Sequence, residues 1–162
     1  MFEKLKDFIG GRGVAILSPM EGRAVPLSEV SDPTFGEELV GKGIAIIPSG
    51  GRVVSPIDGT VSVFFETGHA IAITSAGGIE VLVHVGLDTV KLKGQFYRKI
   101  ANVGDSVKAG DPLIEFDREG IASSGFDVIT PVVIANTDDW GEVEPLAKEN
   151  VRELDEIILV RK

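Results

Sequence analysis

The chain has 162 residues, 43% hydrophobic and 25% charged, which suits one soluble domain that buries its own core. It contains no cysteine, which excludes a disulfide framework, a thiol nucleophile and a cysteine-based zinc knuckle. A net charge of −9 argues against a surface that tracks nucleic-acid phosphates, and no apolar run approaches the roughly 20 residues of a membrane span.

Taken in chain order, the first element is a short amphipathic helix. Phe2, Leu5 and Ile9 recur at helical spacing with Phe8 beside them, and Glu3, Lys4, Lys6 and Asp7 take the other side. Gly10-Gly11 stops it, giving a tail over residues 1–13. Its plainer reading is a docked terminal turn. A membrane-surface contact through residues 2–9 would be weak, because two acids offset two lysines. The segment lacks the uninterrupted apolar core of a secretion signal, so the expected compartment is the cytoplasm, with at most a peripheral contact at the inner face of the membrane.

Residues 14–162 form the expected single domain, and there the period falls to two. Val61-Ser62-Val63-Phe64-Phe65, Ala70 to Thr74 and Ile79 to His84 alternate, with Ser75-Ala76-Gly77-Gly78 as a hairpin turn between the last two. Further strands are expected at Val103–Val107, Pro112–Phe116, Val128–Asn136 and Ile157–Val160, with single helical turns near Asp117–Ala122 and Glu144–Glu149. Val40-Gly41-Lys42-Gly43 reads as a connecting turn, lacking the spacing of a phosphate-binding loop. Many short strands imply an all-β antiparallel sandwich or barrel. A repeat sharpens this. Ser18-Pro19-Met20-Glu21-Gly22 matches Ser55-Pro56-Ile57-Asp58-Gly59, and Ile44 to Gly51 matches Ile71 to Gly78, with extra residues inside the first copy. The expected fold is thus a duplicated β-motif whose halves pack together.

The chain's two histidines, His69 and His84, flank the Gly77-Gly78 turn. Centring the hairpin between Ala76 and Gly77 places them opposite each other, with Cβ atoms roughly 5 Å apart. A pair of imidazoles can serve as nucleophile and proton donor near neutrality. It makes a poor zinc site without a third ligand, for which Glu66 or Asp88 would have to serve. Phosphoryl chemistry on histidine remains, one ring accepting the group and the other bonding its oxygens. Thr67 is placed to orient the His69 ring, and a carbonyl such as that of Gly86 to fix the tautomer of His84. On the plain reading both histidines are strand residues satisfied by backbone. A zinc peptidase on a similar scaffold and a non-catalytic β binding module stay open as alternatives.

Phe65-Glu66-Thr67-Gly68-His69-Ala70 and the run Val81-Leu82-Val83-His84-Val85-Gly86-Leu87-Asp88-Thr89-Val90-Lys91-Leu92-Lys93-Gly94 resemble the two histidine motifs of a known family. It is the glucose-class IIA family of the bacterial phosphoenolpyruvate-dependent sugar phosphotransferase system. The likeness continues through Val30-Ser31-Asp32-Pro33-Thr34-Phe35, Gly43 to Ile46, Ser55 to Gly59 and Thr130 to Val133, and so covers nearly the whole chain after the tail.

The resemblance implies an antiparallel β-sandwich and a phosphorelay. The phosphocarrier HPr would give a phosphoryl group to His84, His69 would contact it with support from Thr67, and a cysteine of a permease IIB domain would receive it. Phe35, Val40, Phe65, Leu82 and Val90 match an apolar ring for partner binding, and Asp32, Glu80 and Asp88 match acidic positions around it. No cofactor is required. In some lineages such proteins also bind metabolic enzymes or permeases when unphosphorylated, or share a zinc between the histidine pair (here His69 and His84) and a partner's carboxylate. The chain departs from the pattern at Lys42, where an acid is common, at Pro33 and Thr34, where apolar residues are common, and at Gly68.

Overall fold

The computed structural model describes residues 13–162, and the expected N-terminal helix lies outside them. The strands are β1 (Val14–Leu17), β2 (Gly22–Pro26), β3 (Lys42–Pro48), β4 (Arg52–Val54), β5 (Gly59–Phe64), β6 (Ala70–Thr74) and β7 (Glu80–His84). They continue as β8 (Tyr97–Lys99), β9 (Ser106–Val107), β10 (Pro112–Phe116), β11 (Thr130–Ile134), β12 (Glu142–Pro145), β13 (Lys148–Val151) and β14 (Glu156–Arg161). One eight-stranded sheet runs β13-β2-β3-β11-β7-β6-β5-β9, and two three-stranded sheets run β1-β14-β12 and β4-β10-β8. All pairings are antiparallel, as expected for an all-β sandwich.

The duplication extends well beyond the repeated peptides. The half-sheet β13-β2-β3-β11 is mirrored by β9-β5-β6-β7, and β1-β14-β12 by β4-β10-β8. The second half, β4 to β10, is therefore inserted whole between β3 and β11 of the first. Its hydrogen bonds repeat residue for residue. Ser18 Oγ donates to the Met20 carbonyl and Ser55 Oγ to that of Ile57, each at 2.7 Å with both serines fully buried. Across the axis, Leu17 N donates to Pro56 O and Val54 N to Pro19 O, at 2.9 and 2.8 Å. The repeat expected from sequence is thus the hinge about which the two halves clasp.

Burial follows the two-residue period. Ile16, Ile44, Ile46, Ile71, Ile73, Val81 and Val83 point into the space between the sheets. A second, smaller cluster lies on the other face of the large sheet, where Val25, Leu27, Phe35, Ala45 and Val133 pack together. It is roofed by residues 27–41, the connection that is longer in the first copy, which fold as a 3-10 turn (Leu27–Glu29) and a short helix (Pro33–Gly36). Pro33 sits at the first helical position, and the Asp32 carboxylate accepts from Thr34 N at 2.9 Å. The departures at Pro33 and Thr34 are therefore explained locally, as parts of a helix start.

Four expectations need correction. Residues 144–149, expected as a helical turn, belong to β12, β13 and the turn between them, because pairing with β14 and β2 outweighs local propensity. Lys42 and Gly43, read as a turn, already lie in β3. Of the strand expected at 103–107 only β9 forms, the rest being a turn. The hairpin pivots on Gly77, so Ala70 rather than His69 lies opposite His84. Among the described residues, no helix is long and apolar enough to cross a membrane.

Removing either repeated hydroxyl leaves a buried carbonyl with one fewer donor. Ser18→Ala and Ser55→Ala should each lower unfolding free energy by about 1–2 kcal/mol, and by similar amounts, in urea denaturation. A large effect at one site and none at the other would contradict the equivalence of the two halves.

Candidate functional site

In the register found, regular strands would turn His69 and His84 to opposite faces of the sheet. The rings meet because the strand has ended at His69. Phe65 to Gly68 form a turn closed by Gly68 N donating to Phe65 O at 2.8 Å, and Gly68 has φ +79°, which brings His69 in from outside the ladder. The imidazole centroids lie 4.8 Å apart and nearly perpendicular, at 83°. Val85 N donates to His69 O at 2.7 Å and fixes the two backbones to each other.

Each ring has one nitrogen engaged. His84 Nδ1 is 2.7 Å from the Gly86 carbonyl. A carbonyl only accepts, so Nδ1 carries the proton, and in the neutral ring Nε2 carries the lone pair. The carbonyl that sequence offered as one example is the one used. Gly86 reaches it with φ +86°, where an added Cβ would stand 2.6 Å from Thr89 Cγ2. His69 Nδ1 shares a hydrogen bond of 2.6 Å with the Thr67 hydroxyl.

The surroundings disfavour the charged form of both rings. His69 is 1% exposed, and burial pushes its pKa down to about 4, with the neighbouring His84 adding a smaller downward push. Burial also lowers His84, against upward pulls from the Gly86 carbonyl and then from Asp32 and Asp88. Aromatic rings close the sides. Phe35 lies 5.0 Å from His84 and tilted, and Phe65 stands edge-on to His69 at 5.2 Å.

The other expected residues divide. Leu82 lies on the same face as His84, half-buried, and Val40 packs beside it against Phe35's cluster. Val90 and Phe65 are exposed. Asp88 is exposed in a left-handed conformation ahead of the turn Thr89–Leu92. Glu80 shares His84's face but begins the strand that His84 ends, about 13 Å away at 3.3 Å per residue. Lys42 is exposed at the start of β3, its N–H donating to Thr137 Oγ1 at 2.9 Å.

Three residues escaped the sequence reading. Tyr97, the chain's single tyrosine, flanks His69 with its ring centroid at 6.2 Å, and its hydroxyl donates to Val85 O at 2.8 Å. Leu39 and Val63 are large apolar side chains left in solvent. Nothing in their sequence neighbourhoods marks them, although a lone tyrosine close after a histidine motif was a usable signal. Among the described residues, no three His, Asp or Glu side chains are placed to hold a metal ion. A cleft of about 570 Å³ lies elsewhere, lined by Asp58, Thr60, Thr74, Ser106 and Asp111, and His84 is half-buried at the surface beside the exposed Phe65 and Val90.

A folded pKa below the ordinary value means that the unfolded chain binds more protons at intermediate pH. The contribution of His69 to stability is complete above about pH 6.5 and is lost as pH falls towards 4. His69→Gln should flatten this slope, the difference from the parent reaching about 2–3 kcal/mol between pH 7 and 4.5 in paired urea titrations. Parallel slopes would place His69 in an ordinary solvated setting. Gly86→Ala should cost more than about 2 kcal/mol through backbone strain and the Thr89 contact.

Comparison with known proteins bears on the same residues. The chain is 47% identical over 140 residues to the beta-glucoside-specific EIIBCA component of Dickeya chrysanthemi, a match covering 86% of this chain and 22% of that protein. It is 41% identical over 131 residues to the glucose-specific EIIA component of Oceanobacillus iheyensis, covering 81% and 79%. The solved structure of glucose permease IIA from Mycoplasma capricolum aligns with a TM-score of 0.83 at 29% identity, over 91% of this chain and 95% of that one. The chain thus spans 22% of the length of the Dickeya relative and most of the length of the Oceanobacillus one. The profile of the phosphoenolpyruvate-dependent sugar phosphotransferase system, EIIA 1, matches residues 14–140, and with that match over an intact duplicated fold the chain belongs to this EIIA family.

Proposed function

We propose that this chain carries a phosphoryl group in sugar uptake, taking it from phospho-HPr onto His84 Nε2 and giving it to a cysteine thiolate of a permease IIB domain. The observation that carries the reading is the Nδ1–H of His84 held by the Gly86 carbonyl at 2.7 Å, which leaves the lone pair on Nε2 of a ring whose charged form burial disfavours.

In the first step Nε2 attacks phosphorus, the P–N bond of the donor histidine breaks, and the donor ring keeps the electron pair. In the second, the thiolate attacks, a P–S bond forms, and the His84 N–P bond breaks with its electron pair returning to Nε2. Neither step needs a proton on Nε2. His69 assists with Nε2–H. The Thr67 hydroxyl donates to its Nδ1, which selects that tautomer and points a donor at the phosphoryl oxygens. The His69 ring is already fixed, so little reorganisation accompanies the charge transfer.

Phe35, Phe65, Leu82, Val40 and Val90 exclude water from the transfer, and Asp32 and Asp88 favour a partner whose rim is basic. Glu80 acts only at the edge of such a contact. A metal shared with a partner would find two imidazoles here and would need its other ligands from that partner. No step of the relay passes through it. A half-buried His84 with exposed Phe65 and Val90 around it and Asp32 and Asp88 beside it suits a protein partner better than a free sugar, which favours this reading over a small-molecule enzyme.

Incubation with phosphoenolpyruvate, the first enzyme of the system and HPr should put one phosphoryl group on His84, located by mass spectrometry at neutral pH. His84→Gln should take none. His69→Gln should accept the group but release it to a IIB cysteine about 100-fold more slowly. Label on another residue, or none with active HPr present, would refute the relay.

A further inference from the structure

Strand β5 contains a built irregularity beside the histidines. Val61 pairs with Ile73, but Val63 pairs with Ala72, so Ser62 is an extra residue in the ladder. Under strict alternation Val63 would share the inward face of Val61 and Phe64 would face out. The bulge reverses them. Phe64 joins the core, Val63 is 47% exposed, and Phe65 emerges next to His69. The bulge is held by side chains. Ser62 Oγ donates to the Ala72 carbonyl at 3.3 Å and accepts from Thr74 Oγ1 at 2.8 Å.

The re-aimed valine continues the face that carries His84. One row across the sheet reads Val63, Ala72, Leu82, Val133, from β5 through β6 and β7 to β11. Val63 stands two strands from Leu82, about 10 Å at the usual spacing. A protein contact of about 800 Å² per partner has a radius of roughly 16 Å, so one centred near His84 reaches Val63 at its margin. The residue between them in this row is the small, buried Ala72.

We propose that Val63 is a specificity-determining residue for the acceptor, and that the IIB domain that takes the phosphoryl group presents an apolar side chain to it. This rests on the relay reading of His84. Two arguments select the acceptor. The contact continues the apolar face of the transfer site, where an exposed valine has no charge to steer a basic donor. Relatives at 47% and 41% identity bear beta-glucoside-specific and glucose-specific names, so faces of this kind meet different acceptors, and marginal positions are where such faces can differ without disturbing the histidines.

The test compares the parent chain, Val63→Lys and the near-isosteric Val63→Thr. Both replacements sit on an exposed strand position, so their urea midpoints should match the parent's. The donor reaction uses phospho-HPr. The acceptor reaction uses membrane vesicles carrying the Dickeya chrysanthemi EIIBCA component with its own IIA histidine replaced. Val63→Lys should raise KM for the vesicles at least tenfold with kcat unchanged, Val63→Thr about threefold, and neither should change KM for phospho-HPr more than twofold. An unchanged vesicle KM would overturn the proposal, as would an equal rise in both KM values, which would make Val63 a common contact, or a fall in kcat alone, which would make it structural. If the parent chain takes label and passes it on, any of these failures falls on Val63 alone. If the parent chain takes no label, the relay reading fails and the proposal fails with it.

Discussion

The backbone of Val85 ties the site together. Its N–H donates to the His69 carbonyl, its own carbonyl receives the hydroxyls of Thr89 and Tyr97, and its neighbours in the chain are His84 and Gly86. One residue thus locks the two imidazoles at a fixed separation while the next supplies the carbonyl that sets the His84 tautomer. Val85, His69, Gly86 and Thr89 are buried, His84 and Tyr97 are half-buried, and among the described residues no buried side-chain nitrogen or oxygen lacks a partner. Where such a bond is buried it is stronger than in water, and it would be costly to leave unmade.

The duplicated fold supplies the frame, and the departure from symmetry supplies the site. Matching β3 with β6 as the repeat does sets Gly43 against Ala70. Across the ladder, Gly43 faces Val133 and Ala70 faces His84. The first half therefore carries a buried valine where the second carries the imidazole. The difference is coupled to the longer connection 27–41, which covers the outer face over Val133 and reaches across to set Phe35 against His84. Without that roof one half of the sheet would expose its outer face and the other would lose its aromatic wall.

The neutral state of the pair has the same origin. Burial disfavours protonation of both rings, the neighbouring His84 adds to this at His69, and the Gly86 carbonyl, Asp32 and Asp88 offset it at His84. His84 thus has a carbonyl and two carboxylates beside it that support positive charge, and His69 has no such offset. The asymmetry comes from the Gly86 carbonyl, from the short helix that Asp32 caps and from the left-handed residue Asp88, all on connections rather than strands.

By itself the sequence determined the fold class, the duplication and the identity of the histidine pair, because two-residue periodicity, turn residues and repeated Ser-Pro peptides are local signals. It also offered Thr67 and the Gly86 carbonyl as ring partners, since both are within two residues of their histidine. What it left open was geometry that depends on long-range pairing. The hairpin register differed by one residue from the expected one, and the histidines meet only because Gly68 bends the chain before β6. The apparent alternation of residues 61–65 concealed a bulge, since ladder pairing with β6 decides which of two adjacent apolar side chains turns inward. The reach of Tyr97 to Val85 and the standing of Val63 on the His84 row were likewise decided by tertiary structure, because each joins strands that no local pattern connects.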